Sequence, residues 1–278
     1  MASAGAVMLR SRYTDLFESR LPYLDEILFE NFDAPSLTYP MVFHVRDSGR
    51  AYEEVTGITG FSQFAEKGEG EKIDYDTLIQ GFDKRFTHLT YAKGFQISFE
   101  AMDDDLDGAI TNAAPALSRA ARSSIETTIW GTINGGFAST TTPDGAALFS
   151  ASHLQVNGGT FSNLVSGDLS IANLESAINI FDAMVDDRDL IIDVEPAMLI
   201  IPPELRWTAH EILKSQLRSD TAANATNAFN QIGLQIVMSK YLTGDDDWFL
   251  FARPDQHRVL VYWRMEPVSD HALDFDTG

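Results

Sequence analysis

Asp103, Asp104, Asp105 and Asp107 crowd the start of a long apolar-periodic stretch, just before Gly108. The spacing Asp103-x-Asp105-x-Asp107-Gly108, with Ile110 two residues on, matches the opening of a calcium loop, whose alternating carboxylates surround the ion. The twelfth position should bring a bidentate Glu and holds Ala114. The stretch leading in is strand-like, where such a loop needs a helix. Acidic residues at a helix N-terminus, favoured by the backbone dipole, explain the cluster better. A second run, Asp245-Asp246-Asp247 after Gly244, reads as a solvated turn. The histidines, His44, His88, His153, His210, His257 and His271, show no metal-ligand spacing. His210-Glu211 lacks the second histidine of a zinc helix. His153 beside Ser150 and Ser152 suggests a base and nucleophile, but triad partners are seldom sequence neighbours and no Gly-x-Ser-x-Gly elbow exists. Gly131 to Gly136 lacks a following Lys and reads as a helix stop, not a phosphate loop. No enzyme, cofactor or metal site is predicted. A metal-dependent hydrolase or calcium-binding module built on the aspartates is the remoter alternative.

The chain has 278 residues, 44% of them hydrophobic, which suffices for a sizeable core. Its formal net charge of −21 argues against gripping nucleic-acid phosphates, which takes Lys and Arg to displace counterions. The same acidity does not exclude a protein that encloses DNA without adhering to it, and equally suits plain solubility. With no cysteine there is no disulfide framework or thiolate chemistry. The N-terminal residues lack the basic region of a signal peptide, and no run approaches the roughly 20 apolar residues that span a bilayer. The expectation is a soluble, unexported protein without membrane contact.

The elements that would position any site follow an α+β order. In residues 1–48, Leu16, Phe17, Leu21 and Leu24 recur at helical spacing, interrupted by Pro22. This segment reads as an arm packed on something else. Residues 49–98 read as a long two-stranded ribbon, with alternation at Phe86–Tyr91 and Gly94–Phe99 and a glycine-rich tip from Glu66 to Lys72. Such a ribbon is marginal alone and needs a neighbour. Leu106, Ile110, Ala113, Leu117 and Ala120 mark a helix over 101–133, about 40 Å long at 1.5 Å per residue, with Pro115 inside it. Ser170 caps a second helix, and Pro203 opens a third over 204–218. Buried strands are predicted at 197–201, 234–238, 248–252 and 258–263.

Several stretches in this order resemble the major capsid proteins of tailed bacteriophages, in the Mu-type head-subunit branch of the Hong Kong 97-type fold. They are Leu148-Phe-Ser-Ala-Ser-His153 through Ser162-Asn-Leu164, Phe99 to Asp105 entering the long helix, and Leu169 to Leu174. Met198 to Leu205, Ala209 with Ile212 to Ser215, and Tyr241-Leu242 before Trp248 to Leu250 complete the set.

The resemblance implies an N-terminal arm (1–48), an E-loop β-hairpin (49–98), and a peripheral domain with a spine helix (99–165, rejoined by 266–278). An axial domain (166–265) would follow. It implies a subunit that self-assembles through pentamers and hexamers into an icosahedral shell. That shell would enclose double-stranded DNA without sequence-specific binding, be assembled in the host cytoplasm and reside in the virion. Scaffold, portal and decoration proteins would be further partners, and an encapsulin-like nanocompartment is the alternative within the fold. Interfacial residues would be Phe61, Phe64, Lys67 and Lys72 on the loop and Leu16, Phe17 and Leu24 on the arm. Some members of the fold form Lys–Asn cross-links from this loop; pairing of Lys67 and Lys72 with Glu66, Glu69 and Glu71 is the plainer reading.

Overall fold

A computed structural model describes residues 37–97, 109–216, 227–265 and 267–269, with Glu26, Leu28, Phe29 and Phe32 as single positions. The strands are β1 (His44–Asp47), β2 (Tyr52–Ile58), β3 (Gln80–Thr87), β4 (His153–Leu154), β5 (Thr160–Phe161), β6 (Met198–Ile201), β7 (Gln235–Met238), β8 (Phe249–Phe251) and β9 (Leu260–Trp263). The α-helices are α1 (Ala109–Asn134), α2 (Ile171–Asp182), α3 (Arg206–Lys214) and α4 (Phe229–Ile232). The chain divides into two compact units, one of residues 1–37, 89–126 and 265–278, the other of 38–88 and 127–264.

In the first unit, small residues on one face of α1 admit a neighbouring backbone. Ala114 and Ser118 are buried. The Ser118 hydroxyl donates to the Leu28 carbonyl, and Arg122 donates to that of Phe32 at 2.7 Å. The two acceptors lie four residues apart, matching the four-residue step between the donors, as facing helical rows do.

The second unit is built around β6, whose run Met-Leu-Ile-Ile is buried at every position. A continuous apolar run suits a strand covered on both faces, and β6 is the middle of the order β7-β6-β8, parallel to β7 and antiparallel to β8. Leu174 of α2 and Ala209, Ile212 and Leu213 of α3 join Leu199 and Ile201 in one apolar cluster. Each fully buried Leu or Ile contributes about 1.5–3 kcal/mol relative to exposure. The Ser170 side chain caps α2 by accepting the Asn173 amide at 3.3 Å. Phe149 stacks among Phe137, Phe249 and Phe251. That ring passes so close to Gly136 that a Cβ there would lie 2.6 Å from it.

A second, smaller layer joins distant parts of the sequence. Strands β1 and β9 pair in parallel, His44 opposite Leu260 through Asp47 opposite Trp263. Beside them Phe43 meets Trp130 edge-on at 5.7 Å, and Trp263 Nε1 donates to the Tyr39 hydroxyl at 2.9 Å.

The ribbon differs from its sequence expectation. Its second strand is β3, Gln80–Thr87, paired with β2, while residues 88–97 form no strand. Alternation at 88–97 has no partner strand among the described residues; Leu89 and Tyr91 are exposed instead. The glycines Gly57 and Gly81 face one another across the ribbon, where a Cβ would meet backbone at 3.2–3.3 Å. The third predicted helix is split into a 3-10 turn, Pro203–Leu205, and α3. The aspartates 103–107 and the arm residues Leu16, Phe17 and Leu24 lie outside the described residues.

Candidate functional site

The connection between β2 and β3 is an open loop, residues 59–79. Every residue from Phe61 to Ile79 is exposed. Phe64 is 98% exposed, Tyr75 87% and Phe61 55%, with Ile73 and Leu78 beside them in sequence. Single exposed apolar residues are ordinary; here several fall within one loop. Lys67 and Lys72 are exposed in the same loop and form no ion pair among the described residues. Glu71 instead accepts the Gly68 amide at 3.0 Å, closing the tip turn in which Gly70 takes φ +83°.

The base of the loop is polar and ordered. Thr59 donates its amide to the Ile79 carbonyl at 3.0 Å, and the Thr59 hydroxyl accepts the Ile79 amide at 3.1 Å. Asp76 accepts both the amide and the hydroxyl of Ser62, at 2.7 and 2.8 Å, and the Thr77 amide at 2.8 Å. Arg188, from the turn after α2, donates to the Thr77 carbonyl at 2.8 Å and stands 3.5 Å from Asp76. The Ser62 and Thr77 hydrogen bonds, with Arg188 adding charge, hold the Asp76 carboxyl at about 2.

A second constellation lies in the segment carrying the capsid-like sequence stretches. His153 is 4% exposed. Its Nδ1 lies 3.0 Å from Asp144 Oδ2 and its Nε2 3.2 Å from Asn163 Oδ1. Phe161 stacks on the ring at 5.0 Å. Asn163 accepts the Ser150 amide and donates to the Leu148 carbonyl, both at 2.8 Å. Burial pushes the Asp144 carboxyl upward, but hydrogen bonds from Thr142, His153 and the Leu154 amide outweigh it and hold the group below its ordinary value. The turn from β4 to β5 is closed by Gly158 at φ +87° and by the Gln155 amide on the Gly159 carbonyl at 2.9 Å.

With both ring nitrogens of His153 engaged, neither contacts a serine hydroxyl; Ser150 Oγ instead accepts the Ser152 amide at 3.2 Å. The set is a structural knot. Among the described residues, no three His, Asp or Glu side chains converge to hold a metal ion, and no helix is long and apolar enough to cross a membrane. Asp245, Asp246 and Asp247 are exposed in a turn.

The structure thus places Phe61, Phe64, Lys67 and Lys72 together on one loop. Sequence reading missed Asp76, Arg188 and Asp144. Of these, only Asp144 carried a local signal, the turn sequence Pro143-Asp144-Gly145.

A family profile described as phage capsid protein matches residues 82–277. The Mu-like prophage FluMu major head subunit of Haemophilus influenzae is 30% identical over 78 residues, covering 28% of this chain and 25% of that protein. The match thus spans about a quarter of that relative's length. The capsid of bacteriophage JBD30 superposes with a TM-score of 0.63 at 15% identity, covering 86% of this chain and 100% of that one. The JBD30 capsid decorated with minor capsid protein trimers gives 0.60 at 16%, covering 76% and 93%. At these identities the structural likeness concerns the fold.

Proposed function

Because this chain belongs to the phage capsid protein family, we propose that it is a major head subunit whose copies assemble into the closed shell of a virion. The observation that carries the reading is loop 59–79, which sets Phe61, Phe64, Ile73 and Tyr75 in solvent on a segment with no internal core. Such a loop is costly to expose and gains its burial only from another chain.

In this reading the chain adopts the Hong Kong 97-type arrangement, with 49–98 as E-loop, 99–165 with 266–278 as peripheral domain and 166–265 as axial domain. The E-loop overlays an adjacent subunit, the arm 1–48 reaches another, and axial domains surround the centres of pentamers and hexamers. A stable contact buries about 800 Å² per partner, and closed symmetry multiplies weak contacts into a durable shell. Phe61, Phe64, Lys67 and Lys72, with Leu16, Phe17 and Leu24, are the proposed interface residues. The net charge of −21 keeps the packaged DNA from adhering to the wall. Assembly takes place in the host cytoplasm, with scaffold and portal as partners. Decoration proteins are partners of the same kind as the minor capsid trimers on the JBD30 capsid.

Negative-stain electron microscopy with light scattering tests the reading. Closed shells, tubes, or five- and six-membered rings are expected. A monodisperse monomer or dimer at high concentration, with any scaffold supplied, would count decisively against it.

A further inference from the structure

Loop 59–79 has a direction that its own sequence does not explain. From Phe61 to Ile79 it has no strand pairing and no buried residue, and its internal ties are the polar contacts at its base. Among the described residues, one side chain on a different element hydrogen-bonds to it.

That side chain is Arg188. Its guanidinium reaches the Thr77 carbonyl at 2.8 Å and the Asp76 carboxylate at 3.5 Å. Asp76 in turn holds Ser62 on the outgoing limb and Thr77 on the returning one. Asp76 thus closes the two limbs on one another, and Arg188 fixes the returning limb to the turn after α2. Both contacts come from one guanidinium nitrogen, Nη2, set between the carbonyl and the carboxylate.

The turn presenting Arg188 is itself braced. Asp186 Oδ1 accepts the Arg188 and Leu190 amides at 2.8 and 2.9 Å, and Val185 bridges Ile191. Asp189 takes the left-handed conformation at φ 60°, a non-glycine residue held there by the tight turn. Asp187 accepts the Val156 amide at 3.0 Å, and Gln155 donates to the Asp186 carbonyl at 3.3 Å. A continuous series of polar contacts runs from the loop, through this turn, to the β4–β5 hairpin.

We propose that Arg188 is a positioning residue that couples loop 59–79 to the turn after α2, a helix whose Leu174 and Ile178 pack in the cluster around β6, so that the loop and the β7-β6-β8 module move as one body when subunits meet or rearrange. The proposal rests on the shell reading above. Holding the aromatic residues in one orientation before contact lowers the ordering cost of association. Rotation of the sheet module is then transmitted to the loop instead of being absorbed at its base.

The test compares wild type, Arg188→Ala, Arg188→Lys and Phe64→Ser by amide hydrogen exchange and by shell yield at fixed protein concentration. Arg188→Ala should speed exchange at Ser62 and Thr77 roughly tenfold, the usual scale for a lost charged hydrogen bond, leaving β6 amides unchanged. Its shell yield should fall, and Arg188→Lys should recover part of both effects. Phe64→Ser should lower yield without altering exchange, since it removes contact surface and not orientation. Unchanged exchange in Arg188→Ala, or faster exchange with wild-type yield, would overturn the coupling role. Wild-type protein that forms no shells would overturn the shell reading instead, while the exchange comparison would still decide whether Arg188 holds the loop.

Discussion

His153 Nε2 lies 3.2 Å from Asn163 Oδ1, an oxygen that already accepts the Ser150 amide. Because the Asn163 nitrogen donates to Leu148, its oxygen must face the ring, and Nε2 must carry a hydrogen. Nδ1 faces the Asp144 carboxylate at 3.0 Å. Both ring nitrogens thus face oxygen atoms of the knot.

Removing that ring should take one of its hydrogen-bond partners from a buried carboxylate. The side chains of His153 and Asp144 are 5% and 6% exposed. His153→Ala is expected to destabilise the fold by about 1–3 kcal/mol, the scale for leaving a buried polar group without its partner. Urea denaturation gives the value; a loss below about 1 kcal/mol would mean the pair is solvated.

The loop base should be sensitive to strong acid. Asp76 is held at about 2, against an ordinary value near 3.9. A carboxyl depressed in the folded state contributes fully above its unfolded value, and its contribution is lost as pH falls through the folded one. Protection of the Ser62 and Thr77 amides, corrected for intrinsic exchange, should therefore decline between about pH 4 and about pH 2. In Asp76→Asn that decline should be absent.

A different group governs mild acid. Burial pushes the His257 imidazole down, and its Nδ1 accepts the Val259 amide at 3.2 Å, as suits a neutral ring. The unfolded chain takes up a proton near pH 6.5 that the folded chain binds only at lower pH, so stability should fall as pH drops below about 6.5. Denaturation midpoints at about pH 7.5 and about pH 5.5 should differ more in wild type than in His257→Phe.

Phe64→Ser should separate folding from assembly. With 98% of Phe64 exposed, the isolated subunit should change in stability by no more than about 0.5 kcal/mol. Shell yield by light scattering should drop sharply, and a wild-type yield would remove Phe64 from the interface.

The parts legible in the sequence are those fixed by local chemistry. Ser170 announces the start of α2, Pro203 a helical turn, and the run Met198–Ile201 a buried strand, because capping and burial act over a few residues. The glycine-rich charged tip was legible for the same reason, whereas Phe61 and Phe64 were placed on the loop by the family resemblance. What sequence could not supply were partners distant along the chain. Whether 80–87 or 88–97 completes the ribbon depends on which segment β2 meets, not on alternation. The bond from Arg188 to Thr77 and the pairing of Asp144 with His153 require the fold to exist before the residues become neighbours.

The parallel pairing of β1 with β9 has a mechanical consequence. Tension applied to the chain preceding His44 and the chain following Trp263 pulls the two strands from opposite ends. All four residue pairs, from His44–Leu260 to Asp47–Trp263, then bear the load together in shear, instead of opening one after another like a zipper. Rupture under force is a matter of unfolding rate, not equilibrium stability. A ladder that must fail all at once acts as a rivet between two parts of the chain more than 200 residues apart.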